Sequence, residues 1–262
     1  DLTLLCLGEP VSMTGEATSR ARLDLSPEQR ALAEAVLATR QPVIVTLTGG
    51  RPLVVPWLFE SANAVLATWF LGHEAGHAIA DIVFGRCDPS GRLPVTWPRA
   101  EGQIPIYYAH RPTGRPPGPG GYTSRYLDLP PSPQFPFGFG LSYTRFRHEG
   151  LRLDRTALAP GERLEVALDV TNEGTLAAEE TVQLYVRDPV ASVARPVRQL
   201  VDFAKVPLAP GERRTVSFSL SAEQLAFVRA DGTFGGEPGA IEVLAGPDSE
   251  RLQRTSFELV TR

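Results

Sequence analysis

The sequence predicts an α/β segment followed by an antiparallel β-sandwich. Three observations carry this. Strand and helix signals alternate over residues 1–110, the mark of βαβ units and a mostly parallel sheet with helices. Residues 111–148 are crowded with Pro, Gly and aromatic side chains. Residues 149–262 alternate apolar and polar positions in short runs divided by turns, as a sandwich of two sheets does.

The elements follow in order. Residues 2–7, including Leu5, Cys6 and Leu7, form an apolar strand. A loop from Gly8 to Asp24 leads to Ser26-Pro27-Glu28-Gln29. There Ser is an N-cap, Pro sits in the first turn and Gln stands where a capping box needs it. Leu32, Ala35, Val36 and Thr39 then share one helical face. Pro42 ends the pattern, and Val43-Ile44-Val45-Thr46-Leu47 reads as a strand buried on both faces. Gly49-Gly50 turns the chain, residues 65–70 give another strand, and residues 74–84 a helix with Ala75, Ala78, Ile79, Ile82 and Val83 at helical spacing. The middle segment holds Arg115-Pro116-Pro117-Gly118-Pro119-Gly120-Gly121 among Tyr108, Tyr122, Tyr126, Phe135, Phe137 and Tyr143. Disordered linkers lack such aromatics, so an ordered, packed connection is expected. In the last segment Leu158-Ala159-Pro160-Gly161-Glu162-Arg163 recurs as Leu208-Ala209-Pro210-Gly211-Glu212-Arg213, each copy ahead of an alternating strand. Pro presets φ and Gly supplies a positive φ, so each copy is a turn.

Composition narrows function. At roughly 100–200 residues per domain, 262 residues suggest two domains, and the all-β tail rules out a single (β/α)₈ barrel. Hydrophobic residues at 42% and charged residues at 21% are ordinary for a soluble chain. No apolar run approaches the ~20 residues of a membrane helix. Lys and Arg total 26 against 30 Asp and Glu, a net charge of −4; nucleic-acid binders carry a basic face instead. Two cysteines, Cys6 and Cys87, are too few for a disulfide framework or a zinc site. Cys6, inside an apolar run, is expected as a small buried thiol. Asp1 begins directly in a strand-like stretch with no signal-peptide pattern, which suggests a mature or truncated start and leaves the compartment open.

Several constellations could carry chemistry. His73-Glu74-Ala75-Gly76-His77 matches H-E-x-x-H, the zinc-protease helix. Gly72 and Gly76 weaken that helix, and a third ligand is missing; a plain helix start with Glu74 at the positive end of the dipole accounts for it. The loop after the first strand offers two carboxylates, Glu9 and Glu16, with Arg20 nearby. Loops beyond the carboxyl ends of parallel strands are where α/β sheets bind ligands, and an acid there could protonate a glycosidic oxygen. A solvated surface loop remains the plainer alternative. Gly49-Gly50-Arg51 occupies a similar place but lacks the G-x-G-x-x-G spacing. Asp81 and Asp88 can cap or bind, with Asp88-Pro89-Ser90-Gly91 read as a turn. Trp57, Trp69 and Trp97 are read as core, although aromatic platforms also hold sugars.

A series of stretches carries a resemblance. It runs through Gly15-Glu16-Ala17-Thr18-Ser19-Arg20, Gly50-Arg51-Pro52-Leu53 and Trp69-Phe70-Leu71-Gly72-His73-Glu74-Ala75-Gly76. It continues through Asp88-Pro89-Ser90-Gly91-Arg92-Leu93-Pro94, Gly102-Gln103-Ile104-Pro105-Ile106-Tyr107-Tyr108 and Phe135-Pro136-Phe137-Gly138-Phe139-Gly140-Leu141-Ser142-Tyr143. In this order and spacing the chain resembles the C-terminal half of bacterial β-glucosidases of glycoside hydrolase family 3, over nearly its whole length. The resemblance implies residues 1–110 as part of the family's α/β sandwich domain, 111–148 as a connection and 149–262 as a fibronectin type III-like domain. It implies hydrolysis of terminal β-D-glucosides with retention, which needs two carboxyl groups about 5–5.5 Å apart. The acid/base is carried to Glu16, and Glu9 and Arg20 are expected to touch substrate. Gly15 stands where close relatives often have His. The nucleophilic Asp would lie in an N-terminal barrel, the partner domain this chain does not contain, so the isolated chain is expected to be inactive. No metal or organic cofactor is implied; the family suggests a periplasmic or secreted setting. The alternative is a non-catalytic carbohydrate-binding or interaction module, using sandwich aromatics such as Tyr185.

Overall fold

The computed structural model describes residues 1–118 and 120–260. Pro119 of the Pro/Gly run, and Thr261 and Arg262 at the end of the expected sandwich, lie outside the described residues. The chain divides into two units. The first comprises Asp1–Cys87, Trp97–Ile106 and Pro133–Phe135; the second comprises Asp88–Thr96, Tyr107–Ser132 and Pro136–Arg262.

The first unit is built on a parallel sheet in the order β1 (Thr3–Gly8), β2 (Val43–Thr48) and β3 (Ala64–Ala67). Its helices are α1 (Pro27–Leu37), α2 (Pro56–Ser61) and α3 (Ala75–Val83). Leu5, Leu7, Val43, Val45, Leu47, Leu53, Val55 and Leu58 are buried, each contributing about 1.5–3 kcal/mol by leaving water. β2 is the central strand and is buried on both faces, as its β-branched run demands. The Ser26 hydroxyl caps α1, accepting from the Gln29 amide at 3.3 Å. The second half of the capping box does not form. The Gln29 side chain instead makes two 2.8 Å hydrogen bonds to the backbone of Gly8 and so ties α1 to the end of β1.

Three expectations are corrected in this unit. The inward side of α1 is Ala33 with Val36 and Leu37, while Leu32 and Ala35 are exposed. The register follows Gln29, whose bonds to Gly8 fix the helix rotation. Cys6 is exposed, because Leu5 and Leu7 take the inward positions and the two-residue period turns Leu4 and Cys6 outward. The third strand ends at Ala67, since Trp69 has φ 48 and cannot continue a strand. Helix α2, opened by Pro56 at its first turn, went unread in the sequence. Trp97 is buried and donates Nε1 to the Leu53 carbonyl at 2.7 Å; Trp57 and Trp69 are half-buried.

The second unit packs two sheets. One has the order β5-β13-β12-β7-β8, from β5 (Ala157–Leu158), β7 (Ala178–Arg187), β8 (Gln199–Leu208), β12 (Gly239–Gly246) and β13 (Gln253–Leu259). The other has the order β4-β6-β9, from β4 (Phe146–Leu153), β6 (Arg163–Asn172) and β9 (Arg213–Ser221). A short pair, β10 (Phe227–Val228) and β11 (Phe234–Gly235), completes it. Leu164, Val166, Leu168, Val182, Leu184, Ile241 and Val243 fill the space between the sheets. The repeated hexapeptide makes the same turn twice. Gly161 and Gly211 take φ 80 and 74, and each following Glu reaches back to the amide that opens its turn, Glu162 to Ala159 at 3.2 Å and Glu212 to Ala209 at 2.7 Å. The antiparallel strands that follow, β6 and β9, then pair with each other.

Asp169 is the electrostatic knot of the three-stranded sheet. It accepts from the Thr215 hydroxyl at 2.6 Å and pairs with Arg213 and Arg152 at 2.8 and 3.1 Å. These partners, the Thr215 hydroxyl first, hold its carboxyl at about 2. Asp88 closes the connection, accepting from the Ser142 hydroxyl and the Tyr143 amide at 2.7 and 2.8 Å. The packing expected of the middle segment is confined to its end. Tyr108 stacks on Phe137, whereas Tyr122, Tyr126 and Leu127 are exposed. The loop around them bonds to itself, Ser124 to Arg115 and Thr113, and Thr123 to Gly118.

Candidate functional site

The carboxyl ends of three parallel strands set up a platform. The Glu9 amide donates to the Thr48 carbonyl at 2.8 Å, and Thr48 and Thr68 share a hydroxyl contact of 2.9 Å. The loops after β1, β2 and β3 therefore leave the sheet side by side. Gly8 makes the first exit possible: its φ is 137, and a Cβ there would stand 1.8 Å from the Thr48 carbonyl oxygen.

The two carboxylates of the β1 loop have opposite fates. Glu9 is buried beneath the loop, its side chain 2% exposed. One oxygen takes Arg20 Nη1 at 2.6 Å and the other takes Arg51 Nε at 3.1 Å. A buried carboxylate is tolerated when paired and hydrogen-bonded in this way. Glu16 is exposed, and among the described residues it makes no ion pair or hydrogen bond. It stands in a tight turn: the Thr18 amide and hydroxyl both reach the Gly15 carbonyl, at 3.3 and 2.6 Å. Gly15 has φ 113 and Ala17 φ 59, and the positive φ at Ala17 is strained for a residue with a Cβ. So one carboxylate of the pair is free to act at the loop tip, while the other and Arg20 are engaged with each other.

The sequence reading placed Gly49-Gly50-Arg51 at a strand end but gave Arg51 no role in the site. Its Nη2 donates to the carbonyls of Met13 and Thr18, both at 3.0 Å. The available signal was its position, a Gly-Gly-Arg turn at the carboxyl end of the strand next to β1. Gly50 lets this turn close on the loop: a Cβ there would lie 2.3 Å from Thr14 Oγ1.

The other candidates fall elsewhere. His73, Glu74 and His77 are exposed at the start of α3, with His77 Nδ1 2.8 Å from Glu74. Among the described residues no group of three His, Cys, Asp or Glu is placed to hold a metal ion. Tyr185 is fully buried, its hydroxyl bonded to Gln183 Oε1 at 2.6 Å and its acidity suppressed by burial. It offers no face to a glycan, which corrects the expectation that it could serve as a sugar platform. No helix among the described residues is long and apolar enough to cross a membrane.

Comparison with known proteins places this loop in a family. The glycosyl hydrolase family 3 C-terminal domain matches residues 1–143. The chain belongs to glycoside hydrolase family 3. A fibronectin type III-like domain matches residues 180–249, within the sandwich. The periplasmic β-glucosidase of Salmonella typhimurium is 42% identical over 263 residues, covering 99% of this chain and 34% of that protein. A β-xylosidase of Formosa agariphila is 40% identical, covering 95% of this chain and 34% of its own length. The β-glucosidase of Listeria innocua, solved in complex with glucose, superposes with a TM-score of 0.93 at 41% identity, covering 99% of this chain and 36% of that one. The chain thus spans about a third of the length of these relatives and corresponds to the C-terminal part of a family 3 glycosidase.

Proposed function

We propose that the chain is the C-terminal portion of a retaining exo-β-glucosidase acting on terminal β-D-glucosides, with Glu16 as general acid and then general base. The observation that carries this is the division of labour in the β1 loop. Glu9 is clamped by two arginines, whereas Glu16 presents a free carboxyl beyond the strand ends. In the first step Glu16 donates its proton to the glycosidic oxygen as the bond to the anomeric carbon breaks. A carboxylate nucleophile from outside this chain takes the anomeric carbon. In the second step Glu16 removes a proton from the water that releases the sugar. In this reading Glu9 and Arg20, expected from the sequence to touch substrate, are engaged with each other at 2.6 Å. The reaction calls on no metal or organic cofactor. The setting in this reading is periplasmic or extracellular, the former being what the Salmonella relative's name says of that protein.

A general acid without its nucleophile lacks the covalent route. The isolated chain therefore gives no turnover of an aryl β-glucoside. Turnover by the chain itself, abolished by Glu16→Gln, would overturn the assignment of the nucleophile to another domain.

A further inference from the structure

We infer that Arg51 is the positioning residue of the acid/base loop, acting through two backbone carbonyls and not on substrate. This rests on the reading of Glu16 as the acid/base. Within residues 11–19 the hydrogen bonds are all local, Met13 to Pro10, Thr14 to Val11 and Thr18 to Gly15. Among the described residues, Arg51 is the one donor from outside that reaches them. One nitrogen, Nη2, holds both the Met13 and the Thr18 carbonyl at 3.0 Å, so the two ends of the turn that carries Glu16 are pinned to a single point.

That point is itself fixed. The same guanidinium gives Nε to the buried Glu9, and Glu9 is held from its other side by Arg20, whose Nη2 also bonds the Asp24 carbonyl at 3.0 Å. The guanidinium plane makes three directed bonds at once, which the single ammonium of a lysine cannot reproduce. Gly50 leaves room for the contact, Thr14 Oγ1 filling the volume a Cβ would need. Proton donation tolerates little displacement, a 1 Å error costing about 10²-fold. A loop released from Arg51 keeps its acid but loses its aim.

The test uses Arg51→Lys, which preserves charge opposite Glu9, beside Arg51→Met. In the chain itself, amide hydrogen exchange over residues 13–18 should rise about tenfold or more in Arg51→Lys, with β1, β2 and β3 protected as before. Unchanged exchange in the loop, or an equal rise throughout the unit, overturns the inference. The catalytic arm uses a chimera in which this chain replaces the matching third of the Listeria innocua β-glucosidase. Arg51→Lys should lower kcat on a glucoside with a poor leaving group about 10–100-fold, with activated aryl glucosides and KM little changed. Equal losses on both substrates overturn it. Glu16→Ala in the same chimera separates the two claims: if it shows no leaving-group dependence, the acid/base reading fails whatever Arg51 does. If the chimera does not turn over, the exchange measurement decides alone.

Discussion

Replacing Glu9 by Gln removes the charge on which the site's underside depends. The carboxylate is 2% exposed and accepts from two guanidiniums at 2.6 and 3.1 Å. Hydrogen bonds to a charged group contribute about 1.5–3 kcal/mol each, and breaking a buried ion pair costs about 3–5 kcal/mol. Two features pull the figure down. Gln keeps one oxygen for one arginine, and the side chains of Arg20 and Arg51 are 20% and 21% exposed and can turn toward water. The expected loss is about 3 kcal/mol, a large share of the 5–15 kcal/mol typical of a domain. The tryptophans report it selectively, because Trp57, Trp69 and Trp97 all belong to the first unit and the chain has no others. In urea titrations followed by tryptophan fluorescence, the midpoint should fall by about 1–2 M at a typical slope. A loss below about 0.5 kcal/mol would refute the reasoning, because it would mean that the arginines do as well in water as against Glu9.

Other outcomes follow from the same structure. Asp169, held at about 2 against an ordinary 3.8, contributes stability that is present above the unfolded value and lost as pH falls through about 2. Arg152 and Arg213 are about half exposed, so solvent screening leaves about 1 kcal/mol; wild type and Asp169→Asn should differ at pH 6 and converge near pH 2 in urea melts, and a constant gap would contradict this. Gly8→Ala, with its Cβ 1.8 Å from the Thr48 oxygen, should cost about 3 kcal/mol or more, and a Tm within about 2 °C of wild type would count against it. Gln183 is 3% exposed and joins the Gly138 and Pro247 carbonyls to the Tyr185 hydroxyl. Gln183→Leu leaves those groups unpaired and should lower stability by about 2–3 kcal/mol, with no loss in denaturation as the refuting result.

Local chemistry made much of this legible in the sequence. Ser26 caps its helix as the S-P-E-Q pattern indicates, and both Pro-Gly turns form with their glutamates folded back. These signals depend on neighbours in the chain. The readings that failed depend on neighbours in space. Which side of α1 faces inward is set by Gln29 on Gly8, a contact across 21 positions. Cys6 sits in an apolar run, yet its face of β1 is uncovered. In the site, Glu9 and Glu16 look equivalent by residue type and position alone, and only the family resemblance set Glu16 apart. The approach of Arg20 and of Arg51, the latter 42 positions from Glu9, separates a buried carboxylate from a free one.

The central claim is that Glu16 donates the proton to the leaving group. The direct measurement is kcat/KM of the Listeria innocua chimera and its Glu16→Ala variant on two β-glucosides, one with a good leaving group and one with a poor one. The account predicts a loss of about 10²–10⁴-fold on the poor leaving group and a far smaller loss on the activated one, where no proton is needed. Equal losses on both substrates would contradict it.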